Sequence, residues 1–247
     1  MLTEIPRSLA TAPQRLSAEH GVIEVAWSLP SSAPRGWMVV GHPHPLFGGA
    51  MNNKVTYMLA AAAAEAGWLA LRFNFRGVGG SAGQHDGGRA ETADYLAVAS
   101  ALRTHLPNLP SVYSGFSFGG FVALRAAEQA PPDGVLTVAP PLTKYVDLPM
   151  PAVPTMPWWT IHGTDDDVVA MADNEAALAD ADPPPRWVRV EGAGHFFHGQ
   201  LAIIKSTTVE FLEGLAIWQR PLARNTTRNW RLHAEQMAVP IERPPGP

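Results

Sequence analysis

Cysteine is absent from the chain. This excludes a disulfide framework, a thiolate metal site and a thiol nucleophile. Long apolar runs are missing too. The longest, Met58 to Ala64, is alanine-rich and far too short to span a membrane. Met1 to Gly21 holds no continuous apolar stretch of the kind that centres a signal peptide. The expected location is therefore the cytoplasm, with no membrane partner. Positive charge is not in excess: 18 Lys and Arg stand against 22 Asp and Glu, for a net charge of −4. The cations are scattered, so no nucleic-acid footprint is expected. There is no H-E-x-x-H, and no second histidine pair at ligand spacing beside His42-Pro43-His44, so no metal is expected. Arg76-Gly77-Val78-Gly79-Gly80-Ser81 lacks both the G-x-G-x-x-G spacing and the P-loop lysine, so no nucleotide cofactor is expected either. Arg76 reads instead as a structural charge paired with a nearby carboxylate. Internal repeats are absent.

What remains is a chain of 247 residues, 46% hydrophobic, enough for one domain with a substantial core. Apolar segments with strand and helix periodicity alternate along it, which predicts an α/β fold with a mostly parallel, doubly wound sheet. Gly21 to Leu29 reads as a leading antiparallel strand and Trp37 to Gly41 as the next. A helix over Asn52 to Ala66 stops at Gly67, and Trp68 to Phe75 is a strand. Glu91 to His105 is a helix, Gly134 to Ala139 a strand, Asn174 to Ala181 a helix, and Gln200 to Trp218 the last long helix.

One stretch carries chemistry. Gly115-Phe116-Ser117-Phe118-Gly119 lies between the strand-like Ser111-Val112-Tyr113-Ser114 and a helical segment from Phe121. A G-x-S-x-G between a strand and a helix is a nucleophile elbow: the turn lifts the serine hydroxyl above the sheet. Small residues are needed two positions either side, where strand and helix nearly touch. Gly115 and Gly119 fill those positions, and Ser117 is the candidate nucleophile.

An acid and a histidine follow. Met156 to Gly163 reads as a buried strand, with Thr164-Asp165-Asp166-Asp167-Val168-Val169 behind it. Arg186 to Val190 alternates at period two and leads into Glu191-Gly192-Ala193-Gly194-His195-Phe196-Phe197-His198. The residues alone leave three aspartates and two histidines open. The order Ser, Asp, His, with acid and base on loops after strands, is that of α/β-hydrolases. Loops at the carboxyl ends of a parallel sheet converge on one edge, where open α/β sheets place ligands.

The chain resembles bacterial α/β-hydrolases of the lid-less, dienelactone-hydrolase-like sort. The resemblance runs from about residue 20 to about 215. It is carried by His42-Pro43-His44-Pro45 with Gly48-Gly49 and Asn52-Asn53-Lys54-Val55, by Arg72 to Gly79, by the elbow, and by Gly194 to His198. It implies a Ser-His-Asp mechanism of the esterase kind on a small ester. The family pattern H-G-x-x-D-x-x-V maps onto His162, Gly163, Asp166 and Val169, which selects Asp166 as the acid. Asp165 and Asp167 are left as turn formers or solvent-facing charges, with Asp167 the expected cap of a helix starting near Val168. The pattern G-x-G-H selects His195, leaving His198 as an outer partner or an exposed residue. It also implies two oxyanion donors. One is the Phe118 N–H after the nucleophile, the other an N–H of the loop after the Trp37 strand. Proline has no N–H, so His44, Leu46 and Phe47 remain, and position favours His44. His42 reads as a structural histidine. Leu46, Phe47, Phe116 and Phe196 are candidates to line an apolar substrate pocket. A thioesterase, acyltransferase or peptidase with the same triad, or a silent binding protein on the same fold, are the alternatives.

Between the Val135 and Trp158 strands only the proline-rich Pro140 to Pro157 is available, which is a connection and not a cap domain. The expected organisation is a hydrolase domain over 1–219 and a tail over 220–247. The tail is either flexible or docked through Trp218, Trp230 and Met237 onto the body or a second copy, leaving a homodimer open.

Overall fold

The computed structural model describes residues 14–19, 21–145, 147–218 and 239–240. Among the described residues nine strands form one sheet in the order β8-β7-β6-β5-β3-β4-β2-β1-β9. The strands are β1 (Gln14–Ala18), β2 (Gly21–Ser28), β3 (Trp37–Gly41), β4 (Leu69–Phe73), β5 (Ser111–Phe116), β6 (Gly134–Val138), β7 (Trp158–Gly163), β8 (Arg186–Val190) and β9 (Val239–Pro240). The helices are α1 (Lys54–Glu65), α2 (Arg89–His105), α3 (Phe118–Gln129), α4 (Met171–Ala177) and α5 (Leu201–Trp218). From β4 to β8 neighbouring strands are parallel; β2 joins β4, and β1 joins β2, antiparallel.

The inner parallel strands β3, β4, β5, β6 and β7 are buried along nearly their whole length because both faces are covered. Alternate residues feed different cores. Trp37 and Val39 pack with Tyr95, Leu102 and Phe121 of α2 and α3. Met38 and Val40 pack with Leu59 and Ala63 of α1 and Phe211 and Leu212 of α5. Asn53 caps α1, its Oδ1 accepting from the Val55 N–H at 2.9 Å, and Gly67 at φ +83° ends it.

The chain winds from β3 to β4, then returns to lay β5 on the other side of β3. Gly41 therefore lies opposite Gly115, with the ends of β3 and β5 side by side. This reversal opens the crevice that α/β sheets use for ligands.

Three expectations need correction. Strand β1 was not foreseen; it pairs with β2, and its Gln14 side chain accepts the Trp27 indole N–H at 3.0 Å. The helix expected over Asn174 to Ala181 is α4, which begins and ends earlier. Asn174 is not its start but a buried mid-helix residue, bonded to the Leu142 N–H and the Pro140 carbonyl. Asp167 does not cap this helix, which starts only at Met171 and has no side-chain cap.

The connection over 139–157 contains no helix or strand among its described residues, so there is no large cap. Among the described residues no helix is long and apolar enough to cross a membrane. Of the tail, Val239–Pro240 pair with β1; Trp230 and Met237 lie outside the described residues.

Candidate active site

Ser117 sits between β5 and α3 at φ 52° and ψ −121°. A non-glycine residue pays for this left-sided backbone, on the order of 1–3 kcal/mol. The turn is held by the Ser117 N–H donating to the Val138 carbonyl at 2.8 Å and by the Ser117 carbonyl accepting from Gly120 and Phe121. Gly119 is pressed between two backbones. A Cβ there would overlap the Gly41 carbonyl, and a Cβ on Gly115 would overlap Gly119 itself.

His195, on the loop after β8, presents Nε2 to Ser117 Oγ at 3.0 Å. Its Nδ1 lies 2.8 Å from Asp166 Oδ2. Because the carboxylate can only accept, Nδ1 carries the hydrogen and Nε2 turns its lone pair to the serine hydroxyl. Ser117, His195 and Asp166 are 8%, 4% and 6% exposed, so the three polar groups act largely away from bulk water. Asp166 is fixed by its other oxygen, which accepts the Val168 and Val169 N–H groups at 3.0 and 2.7 Å. His162, on β7, was not foreseen as a neighbour of the acid. Its Nε2 donates to the Val169 carbonyl at 2.8 Å and stands 3.4 Å from Asp166 Oδ2. Burial alone would raise the Asp166 carboxyl. Hydrogen bonds from His162, His195 and Val169 outweigh it and hold the group well below the usual carboxylate range.

Asp165 and Asp167 face solvent, as does His198, so the aspartate and histidine chosen are those brought together. The Phe116 ring has no exposed surface. It packs behind the His195 imidazole at 5.0 Å between centroids and braces it rather than lining a pocket. Leu46, Phe47 and Phe196 are exposed, on the loops that follow β3 and β8.

In the loop after β3, the Leu46 N–H donates to His44 Nδ1 at 3.2 Å and the Phe47 N–H to the His44 carbonyl at 3.1 Å. Both are thus engaged within the loop, and Pro43 and Pro45 lack the group. Phe118 is the first residue of α3, where helical N–H groups have no partner within the helix. His42 is fully buried, its pKa lowered to about 4 chiefly by that burial. Both its nitrogens bond to backbone, at Pro43 and Phe75.

The His44 ring lies 4.8 Å from that of His85, 5.0 Å from Phe118 and 6.3 Å from Tyr145. Burial lowers the His44 pKa, His85 adds to this, and Glu91 opposes it. His85 carried no periodic or motif signal. Its Nδ1 is 2.7 Å from the buried Glu91 carboxylate, which also accepts the Asp86 and Gly88 N–H groups. Arg76 forms a two-pronged pair with Asp94, at 2.7 and 3.0 Å, as expected of a structural charge. Among the described residues no three acidic or histidine side chains converge to hold a metal ion.

The family described as the alpha/beta hydrolase fold matches residues 46–160. An uncharacterised protein of Rickettsia prowazekii is 33% identical over 188 residues, covering 72% of this chain and 79% of its own length. An α/β serine hydrolase homologue from Coxiella burnetii superposes with a TM-score of 0.78 at 33% identity, covering 82% of this chain and 98% of that one. A lid-less α/β serine hydrolase from Xanthomonas campestris gives 0.73 at 33% identity, over 87% and 96%. With these likenesses, the strand order and the short connection over 139–157, the chain belongs to the α/β-hydrolase superfamily, in its lid-less group.

Proposed function

We propose that the protein is a serine esterase that hydrolyses a small carboxylic ester through an acyl-enzyme. The observation that supports this reading most directly is the unbroken chain Ser117 Oγ, His195 Nε2, His195 Nδ1, Asp166 Oδ2, at 3.0 and 2.8 Å. In the proposed reaction Ser117 Oγ attacks the ester carbonyl carbon as its proton passes to His195 Nε2. The carbonyl oxygen takes the negative charge and is met by the His44 and Phe118 N–H groups. His195 then gives the proton to the leaving alkoxide, and an alcohol departs. Water, deprotonated by the same nitrogen, attacks the acyl-enzyme and restores the serine. Asp166 holds the imidazole in the tautomer that makes Nε2 basic and stabilises the imidazolium between steps.

The experiment is in two parts. A fluorophosphonate probe should label Ser117, as read by peptide mass, and an unlabelled serine would remove the enzyme reading. A panel of acyl esters, thioesters and anilides should then show esters turned over fastest. Preference for thioesters or anilides would reassign the leaving group while keeping the triad.

A further inference from the structure

We infer that His42 is a positioning residue for the oxyanion hole: its imidazole clamps the peptide unit that supplies the His44 N–H. The inference rests on the esterase reading above. The Pro43 carbonyl and the His44 N–H are opposite ends of one planar trans peptide, so turning either turns the other. His42 Nδ1 is 2.6 Å from the Pro43 oxygen. Its Nε2 is 3.0 Å from the Phe75 nitrogen, beyond the end of β4. A backbone N–H can only donate, so Nε2 is the acceptor, Nδ1 carries the hydrogen, and the bond to Pro43 is a donation from the ring. The ring is fully buried and meets the Phe75 ring edge-on at 4.7 Å. It therefore joins two backbone segments and has no freedom to flip without losing both bonds. Gly49 leaves room for the clamped carbonyl, since a Cβ there would overlap the Pro43 oxygen. With the carbonyl held inward, the N–H at the other end points away from it, and the donor is aimed before any substrate arrives.

The test compares His42→Leu, which keeps bulk and loses both bonds, with His42→Asn, whose amide nitrogen can take the place of Nδ1. With p-nitrophenyl butyrate, His42→Leu should lower kcat by about 10²-fold, as expected for loss of one oxyanion donor, with KM changed less than about threefold. Affinity for a trifluoromethyl ketone, which becomes a tetrahedral oxyanion on Ser117, should fall by a similar factor. His42→Asn should recover most of both. A Leu variant with unchanged kcat, a loss carried by KM alone, or an Asn variant no better than Leu would each overturn the inference. Should the Leu variant not fold, nitrogen NMR of the wild-type ring decides: hydrogen on Nδ1 is expected, and hydrogen on Nε2 overturns it. Failure of the fluorophosphonate to label Ser117 in the wild type removes the esterase reading and this inference together. A labelled wild type with an unimpaired Leu variant removes this inference alone.

Discussion

Asp166 accepts directed hydrogen bonds from two backbone N–H groups and the His195 imidazole, with His162 Nε2 3.4 Å from the same oxygen that His195 holds. Replacing it by Asn should leave this turn in place but reverse the tautomer of His195. Turnover of a good ester should then fall on the order of 10⁴-fold. Asp165→Asn and Asp167→Asn, in solvent, should cost little. Ser117→Ala should lose roughly a million-fold while the protein unfolds at an unchanged temperature; retained turnover would show that another group attacks. Acid acts on two of these residues in succession. His42 has an ordinary value of 6.5 and a folded value of about 4, so the unfolded chain takes the proton first. Stability should therefore drain away as pH falls from 6.5 towards 4, by about 3 kcal/mol in all. Asp166, depressed in the folded state, adds stability that is present above its ordinary 3.8 and is lost only in stronger acid. Urea midpoints of wild type and His42→Leu across this range check the first: the variant should show the flatter slope.

At the scale of elements, what was legible in the sequence was whatever a local rule dictates. The elbow is a five-residue pattern whose glycines answer to a contact between backbones, so it can be read from one segment. Strands β3, β5, β6 and β7 carry apolar runs closed by glycine or proline, and their ends located the loops of the site. Other features depend on pairing across the chain. Strand β1, with a mixed sequence, exists because β2 offers it an edge. Helix α4 lies earlier than expected, at Met171–Ala177, with Asn174 inside it as the buried anchor of the 139–157 connection. His85 reaches His44 only because the Glu91 carboxylate gathers the turn before α2. Phe116 stands beside the nucleophile in sequence, yet strand alternation turns it into the opposite core, behind His195. The glycine contact gives a direct prediction for the elements it joins. Gly119→Ala would drive a methyl into the Gly41 carbonyl, costing 1–3 kcal/mol or more in overpacking. Denaturant unfolding should register that cost, and esterase assays a loss of turnover.

For the molecule as a whole, the connection over 139–157 has no helix among its described residues to open at an interface. Short or aromatic acyl esters should be turned over faster than emulsified long-chain lipid, and a jump in rate on triglyceride emulsions would contradict this. The same economy bears on heat. Gly41 and Gly115 each meet Gly119 backbone to backbone, so β3, β5 and the start of α3 share a joint of main chain on main chain, to which β6 is tied by the Ser117 N–H bond to Val138. A joint without padding cannot loosen by degrees. Activity on warming should persist until the sheet itself melts, with the inactivation curve lying over the unfolding curve and no temperature interval in which the protein is folded yet idle.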